Sequence, residues 1–226
     1  MYRFFIQPQL NTQAQAVVGY ELLMKEYRDG RWQMPASFSD ISAKTIAETL
    51  IATARKLSLK VGSVSINVDR FQIQDQKLLD ALVIAQGMLR PVKLVIELIE
   101  SAVKPAVSNA KLIQIANGLN EVGIQFCLDD VGSGINTWPE IEPLLPYACE
   151  LKYALQNYKE HLDQAETDRR VSFWRNIANV NSIRFVLEGI DNDRDDAWAD
   201  LMKIDLRQGY YYGKPSLMKI NADDPD

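Results

Sequence analysis

The sequence predicts an α/β fold, a TIM-like (β/α)8 barrel whose first strand is antiparallel to its neighbours. The length of 226 residues fits one barrel domain. Strand-like segments at 2–8 and 17–24 are separated by a stretch too short for a crossover helix, so we expect an antiparallel hairpin there. From residue 40 onward strands and helices alternate, which predicts parallel strands with right-handed crossovers.

The period of the apolar residues places each further element. The sequence predicts helices over 40–59, 74–88, 109–122, 164–179 and 193–202. It predicts strands over 61–68, 92–99, 124–130, 148–154, 183–188 and 204–210, with a short proline-broken helical segment before 148–154. Eight strands without a linker predict a single domain spanning 1–226. An open doubly wound sheet is the alternative, but no glycine-rich phosphate loop follows the first parallel strand. The acidic end, 221–226, is expected to be loose.

Composition limits the classes of function. Apolar residues make up 47% of the chain, which is enough for a large core. The net charge of -5 disfavours binding of a nucleic-acid polymer, although metal ions can still recruit a small anion. We find no signal peptide and no stretch of membrane-spanning length, so we expect a cytoplasmic protein without membrane insertion. Cys127 and Cys149 are expected to be reduced core thiols rather than a disulfide or a metal site.

Polar side chains follow nearly every predicted strand at the point where its apolar run stops. They are Glu21, Asn67, Glu97, Asp129, Asp130, Lys152, Glu188 and Gln208. In a barrel these strand ends converge on one face, which carries the active site. A single acid there is usually a helix cap or a solvated loop residue. Five carboxylates with one amine would instead repel one another without counterions. Mg²⁺ and Mn²⁺ prefer such oxygen ligands, so the pattern predicts a divalent metal site.

Two nearby segments keep alternative interpretations. The glycine-containing loop at 131–134 is either a plain turn or a loop that positions metal-binding groups. The tyrosines at 210–212 either stack on a base or pack against the barrel, and we favour packing. The isolated His161 and the absence of a Gly-x-Ser-x-Gly motif disfavour a zinc hydrolase and a serine hydrolase.

An ordered series of motifs resembles the EAL domain family, the bacterial cyclic di-GMP phosphodiesterases. The motifs are GYELL at 19–23, SINV at 65–68, IELIE at 96–100, LDDVGSG at 128–134, LK at 151–152, LEGID at 187–191 and QGYYYGKP at 208–215. Each motif alone is weak, but their succession from residue 7 to residue 215 is specific. The resemblance implies hydrolysis of cyclic di-GMP to linear pGpG. It also implies two Mg²⁺ or Mn²⁺ ions per active site, and inhibition by the larger Ca²⁺.

The resemblance also implies roles for individual residues. One metal would be held by Glu21, Asn67, Glu97 and Asp129, and the second by Asp129, Asp130 and Glu188, with Asp129 bridging. The residues expected to act in catalysis are Lys152, Glu188 and Gln208. The residues expected to bind substrate are Gln7, Lys25, Asp191, Lys214 and Pro215. Glu100 would pin the loop at 131–134, and homodimers are expected because family members often dimerise near that loop.

Three positions depart from the family pattern. Lys25 replaces an arginine that contacts phosphate, so the bidentate fork is lost. Ala154 replaces an aspartate near the second metal, and Asp191 replaces a glutamate. These departures keep open a second hypothesis, a weak or inactive EAL-like module that binds cyclic di-GMP or a protein partner. A third hypothesis, an unrelated metal-dependent carbon–carbon lyase, is disfavoured by the motif series.

Overall fold

The computed structural model describes residues 1–38, 40–58, 60–100, 107–158 and 161–226. The strands are β1 (Tyr2–Asn11), β2 (Ala16–Arg28), β3 (Arg31–Gln33), β4 (Ser63–Val68), β5 (Lys93–Leu98), β6 (Gln125–Leu128), β7 (Glu150–Ala154), β8 (Arg184–Glu188), β9 (Leu206–Gln208) and β10 (Ser216–Leu217). The α-helices are α1 (Ala43–Leu57), α2 (Gln76–Leu89), α3 (Asn109–Glu121), α4 (Trp138–Ile141), α5 (Gln164–Val180) and α6 (Asp193–Leu201). Short 3₁₀ helices cover Gln72–Gln74, Glu142–Tyr147 and Leu155–Asn157.

The strands close into a barrel. From β2 the ring runs through β4, β5, β6, β7, β8 and β9 with parallel pairing at every step. β1 completes the ring because it pairs antiparallel with both β2 and β9. The predicted fold class, an α/β barrel with an antiparallel first strand, is confirmed in the described part of the chain. β3 and β10 extend the sheet beyond the ring and were not predicted from the sequence.

Side-chain caps fix where the helices begin. The Ser42 hydroxyl accepts the Thr45 N–H at the start of α1, and the Asp163 carboxylate accepts the Glu166 N–H at the start of α5. Leucines on the inner helix faces then pack against the outside of the barrel. Leu50 and Leu112, for example, are fully buried. None of the described helices is long and apolar enough to cross a membrane.

The strand ends differ from the sequence prediction in a way that shapes the site. β6 ends at Leu128, two residues earlier than predicted, so Asp129 and Asp130 lie on the turn that follows it. Asp130 has a φ of 48°, which turns the chain directly after the barrel strand. The two adjacent aspartates are therefore released from strict strand alternation.

The expectation of a loose tail at 221–226 is wrong. Asp224 is buried, and its carboxylate receives Arg3 Nε at 2.7 Å and Arg3 Nη2 at 2.5 Å. The same carboxylate accepts the backbone N–H groups of Ile220 and Asn221. These contacts fix the tail against the start of β1, because leaving the buried carboxylate of Asp224 without a cationic partner is costly.

Candidate functional site

The parallel register of the barrel brings the polar strand ends together. Asn67 lies opposite Glu97 across β4 and β5, and Ala154 lies opposite Glu188 across β7 and β8. Glu21 lies opposite Gln7 across the β1–β2 hairpin. The structure therefore gathers at one mouth of the barrel the side chains that the sequence placed at the ends of separate strands.

Lys152 lies at the centre of this cluster and is completely buried. Its Nζ is 2.6 Å from Glu188 Oε1 and 2.9 Å from Glu97 Oε2. It is also 3.4 Å from Glu21 Oε2 and 3.9 Å from Asp129 Oδ1. Burial alone would lower the pKa of Lys152, but the surrounding carboxylates raise it well above its ordinary value. The ammonium therefore stays protonated.

The carboxylates around Lys152 have unequal affinities for a proton. Burial raises the pKa of Glu97 to about 8. Burial, followed by repulsion from Glu188, raises that of Asp130 to about 7. Burial also raises the pKa of Asp129 and of Glu188. For Glu21 burial acts in the same direction, but the charge of Lys152 and hydrogen bonds from neighbouring side chains lower its pKa overall. The cluster therefore lacks positive charge.

The unpaired oxygens of the cluster fit metal ions. Asn67 Nδ2 donates to Glu21 Oε1 at 2.6 Å, which leaves Asn67 Oδ1 facing the cluster. Within the described ranges, Asn67 Oδ1 and Asp129 Oδ1 are buried acceptors without a hydrogen bond. Carboxylate oxygens of Asp129, Asp130 and Glu188 lie within 4.8 Å of one another. A set of acceptor oxygens with excess negative charge is the donor set that Mg²⁺ and Mn²⁺ prefer.

A second group of potential ligands lies nearby inside the barrel. Atoms of Glu97, Cys127 and Glu150 also lie within 4.8 Å of one another. Glu150, however, is ion-paired with Arg184 Nε at 3.1 Å and accepts Gln9 Nε2 at 3.1 Å. Burial raises the pKa of the Cys127 thiol well above its ordinary value, so the thiol stays neutral. These contacts already satisfy Glu150, and the group is a poor metal site.

Two cavities open onto the carboxylates. One has a volume of about 360 Å³ and is lined by Gln7, Glu21, Leu23, Asp129, Asp130, Gln156, Glu188, Gly189, Asp191, Gln208, Gly209 and Tyr210. The other, of about 300 Å³, is mainly apolar, with Phe4, Leu22, Met24, Met34, Phe38 and Ile66 in its wall. The apolar cavity also includes Asn67, so both cavities reach the proposed metal ligands, and they share Asp129 and Asp130. No pattern in the sequence had indicated the apolar cavity or the contribution of Gln156 to the polar cavity.

Only some of the residues expected to bind substrate lie at the cavities. Gln7 and Asp191 line the polar cavity. Lys25 instead places its ammonium over the Phe5 ring, 4.5 Å from the centroid, and Lys214 places its own over Tyr210 at 5.5 Å. In the described part of the chain, Lys25, Lys214 and Pro215 are not among the residues that line these two cavities.

The catalytic candidate Gln208 is held on two sides. Its Nε2 donates to Glu21 Oε2 and lies 3.5 Å from Gln7 Oε1. Its Oε1 is buried and has no hydrogen-bond partner among the described residues. The amide nitrogen of Gln208 is therefore engaged, whereas its oxygen remains available as an acceptor in a residue that lines the polar cavity.

Glu100 lies against the loop at 131–134. Its carbonyl accepts the Ile135 N–H at 3.1 Å. Gly134 has a φ of +49°, and a Cβ added there would come within 2.5 Å of that carbonyl oxygen. A glycine is therefore required where the loop passes over Glu100. On the other side of the loop, Asn157 Nδ2 donates to Asp130 Oδ1 at 3.0 Å.

Comparisons with known proteins agree with this geometry. A family model described as EAL domain matches residues 2–215. The chain is 23% identical over 157 residues to the cyclic di-GMP phosphodiesterase PdeR of Escherichia coli (strain K12). That match covers 67% of this chain and 23% of the relative, so the chain spans about a quarter of the length of this curated relative.

Solved structures share the fold. One is the PaMucR phosphodiesterase in complex with c-di-GMP, with a TM-score of 0.76 and 21% identity, covering 96% of this chain and 97% of that one. Another is a standalone EAL protein from Vibrio cholerae O395 in a c-di-GMP-bound form, with a TM-score of 0.71 and 21% identity over 96% and 92% of the two chains. A third is Bacillus subtilis YkuI with c-di-GMP and calcium, with a TM-score of 0.73 and 18% identity over 97% and 56%.

Proposed function

This chain belongs to the EAL domain family, and from that membership we propose that it hydrolyses cyclic di-GMP to linear pGpG with two Mg²⁺ or Mn²⁺ ions. One observation carries the proposal: a buried lysine lies within 4 Å of four carboxylates, of which Glu21, Asp129 and Glu188 line a cavity. The names of the relatives support cyclic di-GMP as the substrate, since one relative is a cyclic di-GMP phosphodiesterase and others were solved with c-di-GMP bound.

The ligand sets follow from the oxygens at the barrel mouth. One ion would be held by Glu21, Asn67, Glu97 and Asp129, and the other by Asp129, Asp130 and Glu188. The buried acceptors without hydrogen bonds on Asn67 and Asp129 support the first set, and the close approach of the last three carboxylates supports the second. When bound, the ions would supply the Lewis acidity that makes water nucleophilic near neutral pH and would neutralise charge on the phosphate.

The chain's own side chains supply positioning and charge. Lys152 remains protonated, so its ammonium can donate to an attacking water or stabilise negative charge that grows on the phosphate. Gln208 is fixed to Glu21, and its Oε1 can accept a hydrogen bond from the water and so direct the water's lone pair at phosphorus. Both residues are buried, so they are held in place without the substrate.

The two cavities suit the two parts of a cyclic dinucleotide, one nucleoside in each. The polar cavity contains Gln7 and Asp191, which can hydrogen-bond to sugar or base edges. The apolar cavity, walled by Phe4 and Phe38 among others, can bury the face of a guanine. Because the cavities share Asp129 and Asp130, a phosphodiester that joins the two parts would lie over the carboxylates.

A weak or inactive module that binds cyclic di-GMP is the second candidate, and two observations favour it. Ala154 lies opposite Glu188 and is buried, so no carboxylate supports Glu188 from that position. The Lys25 ammonium lies over Phe5, and Lys25 does not line either described cavity, so a phosphate contact would require its side chain to move.

The test is incubation of the purified protein with cyclic di-GMP and Mg²⁺ or Mn²⁺, with pGpG followed by chromatography. We expect product that EDTA abolishes and that Glu21→Ala reduces by more than about 100-fold, since loss of an outer-shell contact to a metal ligand alone costs 10–100-fold. A suitable control is Asp224→Ala, which breaks an ion pair outside the site. Saturable binding of the intact dinucleotide without product would support the second candidate. Equal hydrolysis by Glu21→Ala and the wild type would refute the metal-site interpretation.

A further inference from the structure

Arg70 is a buried cation outside the carboxylate cluster. It follows β4 by two residues and is 2% exposed, although it lies in a loop. Among the described residues, no carboxylate lies within ion-pair distance of its guanidinium, and burial lowers the pKa of Arg70 although the more distant charge of Glu140 opposes this. A cation is rarely buried without such a partner, so its contacts indicate what holds it.

The contact of Arg70 is a buried asparagine in a different loop. Arg70 Nη2 donates to Asn136 Oδ1 at 2.9 Å. Asn136 is fully buried and lies just after the loop at 131–134. Its backbone carbonyl accepts the Gly132 N–H at 2.8 Å, and its own N–H donates to the Ser133 carbonyl at 2.9 Å. Asn136 is therefore the base of the turn that follows the two aspartates.

The amide nitrogen of Asn136 ties two strand ends together. Nδ2 donates to the Asp129 carbonyl at 2.5 Å and to the Leu98 carbonyl at 3.1 Å. Leu98 directly follows Glu97, at the end of β5. One side chain thus joins the backbone of the proposed ligand Asp129 to that of Leu98, the neighbour of the proposed ligand Glu97.

The local sequence around Arg70 directs its side chain inward. The carboxylate of Asp69 accepts the N–H groups of Phe71 and Gln72, both at 2.7 Å, which closes a turn directly after β4. Gln74 Nε2 donates to the Arg70 carbonyl at 3.1 Å. The turn therefore fixes the position of Arg70, three residues after Asn67, the proposed metal ligand on β4.

We propose that the Arg70–Asn136 pair positions three of the ligands for the first metal ion, Asn67, Glu97 and Asp129, by locking together the ends of β4, β5 and β6. Arg70 and Asn136 are positioning residues, since they act through backbone and contact neither substrate nor metal. The inference rests on the proposed function, because it assigns a purpose to the same metal site.

The locked geometry has a consequence that a purely structural contact would not have. The ligand oxygens belong to residues in β4, in β5 and on the turn directly after β6, and their spacing depends on how these strand ends are held. Outer-shell contacts of this kind change metal affinity by about 10–100-fold when removed. We therefore expect loss of the pair to weaken Mn²⁺ binding, and to leave the KM for cyclic di-GMP at saturating Mn²⁺ nearly unchanged.

The experiment measures Mn²⁺ binding by calorimetry without substrate for the wild type, Arg70→Met, Asn136→Ser and the double variant. Each single variant is expected to raise the Kd for Mn²⁺ by about 10–100-fold. The double variant should bind Mn²⁺ no more weakly than the weaker-binding single variant, because each single substitution already breaks the Arg70–Asn136 contact. Arg70→Lys keeps the charge but not the planar fork, so its Kd should fall between those of the wild type and Arg70→Met.

Asp224→Ala serves as the matched control, because it breaks a different buried contact of an arginine. If Arg70→Met loses as much thermal stability as this control but binds Mn²⁺ like the wild type, the pair is only structural and the inference is wrong. Additive effects in the double variant would also refute it. If Arg70→Met does not fold, Asn136→Ser and Arg70→Lys still give the comparison. A wild type that binds no Mn²⁺ would instead overturn the proposed function itself.

Discussion

Glu97→Gln should stabilise the metal-free protein at neutral pH while it weakens binding of divalent ions. Glu97 is fully buried, and burial raises its pKa to about 8 from an ordinary value of 4.5. Glutamine has nearly the same shape as a protonated glutamate and carries no charge. The substitution therefore removes the energetic penalty of burying an acid while it preserves the packing.

The pH dependence follows from the direction of this shift. Below about pH 4.5, Glu97 is protonated in both the folded and the unfolded chain, so it does not change stability with pH. Between 4.5 and about 8 the unfolded chain releases the proton and the folded chain keeps it. The stability of the wild type therefore falls as the pH rises through this window.

The magnitude can be worked from the same shift. Each pH unit in the window lowers the free energy of unfolding by about 1.4 kcal/mol. At pH 7 the substitution should thus recover at most roughly 3 kcal/mol. The attraction of Lys152, whose Nζ lies 2.9 Å from Glu97 Oε2, opposes the effect of burial and is already included in the pKa of about 8, so it does not reduce this gain further.

Urea unfolding in EDTA at about pH 5, 7 and 8 measures the free energy of unfolding of both proteins. The extra stability of Glu97→Gln over the wild type should be near zero at pH 5 and should grow as the pH rises. Glu150→Gln is a matched control, because Glu150 is also buried in the barrel but is ion-paired with Arg184. This control should destabilise the protein. Addition of Mn²⁺ should stabilise the wild type and should have much less effect on Glu97→Gln, because the proposed ligand is missing. Equal stability of Glu97→Gln and the wild type across this pH range in EDTA would show that Glu97 is not held against its preferred charge state.

Three further predictions concern other residues and the choice of metal. Ala154→Asp should raise turnover several-fold if the family's aspartate supports the second metal ion, and unchanged kinetics would show that another group does so. Asp224→Ala should lower the free energy of unfolding by roughly 1–3 kcal/mol in urea titrations, because the partly buried Arg3 loses its charged hydrogen-bond partner; no loss would mean that the tail is not fixed. Ca²⁺ in place of Mg²⁺ should inhibit pGpG formation, since its coordination is larger and looser, and equal rates with the two ions would contradict this.

The fold was predictable because short-range patterns determine it. The segments at 2–8 and 17–24 lie too close in sequence for a crossover, and this alone makes β1 antiparallel. The position of Glu97 directly after three apolar residues was enough to place it at a strand end, and the barrel then brings it to Lys152. The sequence pattern thus predicted which side chains meet at the mouth.

What the sequence could not predict depends on contacts between distant segments. The pairing of Arg70 with Asn136 joins two loops, and neither residue type has a spacing that signals the other. The tail carries Asp224, and its acidic composition suggested disorder until the structure paired it with Arg3. Lys25 shows the same limit, because its strand position was predictable but its orientation over Phe5 was not.

The arrangement around Lys152 also bears on the choice between an enzyme and a binding module. Four carboxylates share one buried ammonium, and burial, together with repulsion between the acids, raises the pKa of Glu97, Asp129 and Glu188. Neutral residues of similar size would fill the same space at a lower free-energy cost of folding. A module that only bound the dinucleotide would gain nothing from such a cluster, since acids repel phosphate. The cluster is accounted for if divalent ions neutralise it in the working protein, which is why we place hydrolysis ahead of binding alone.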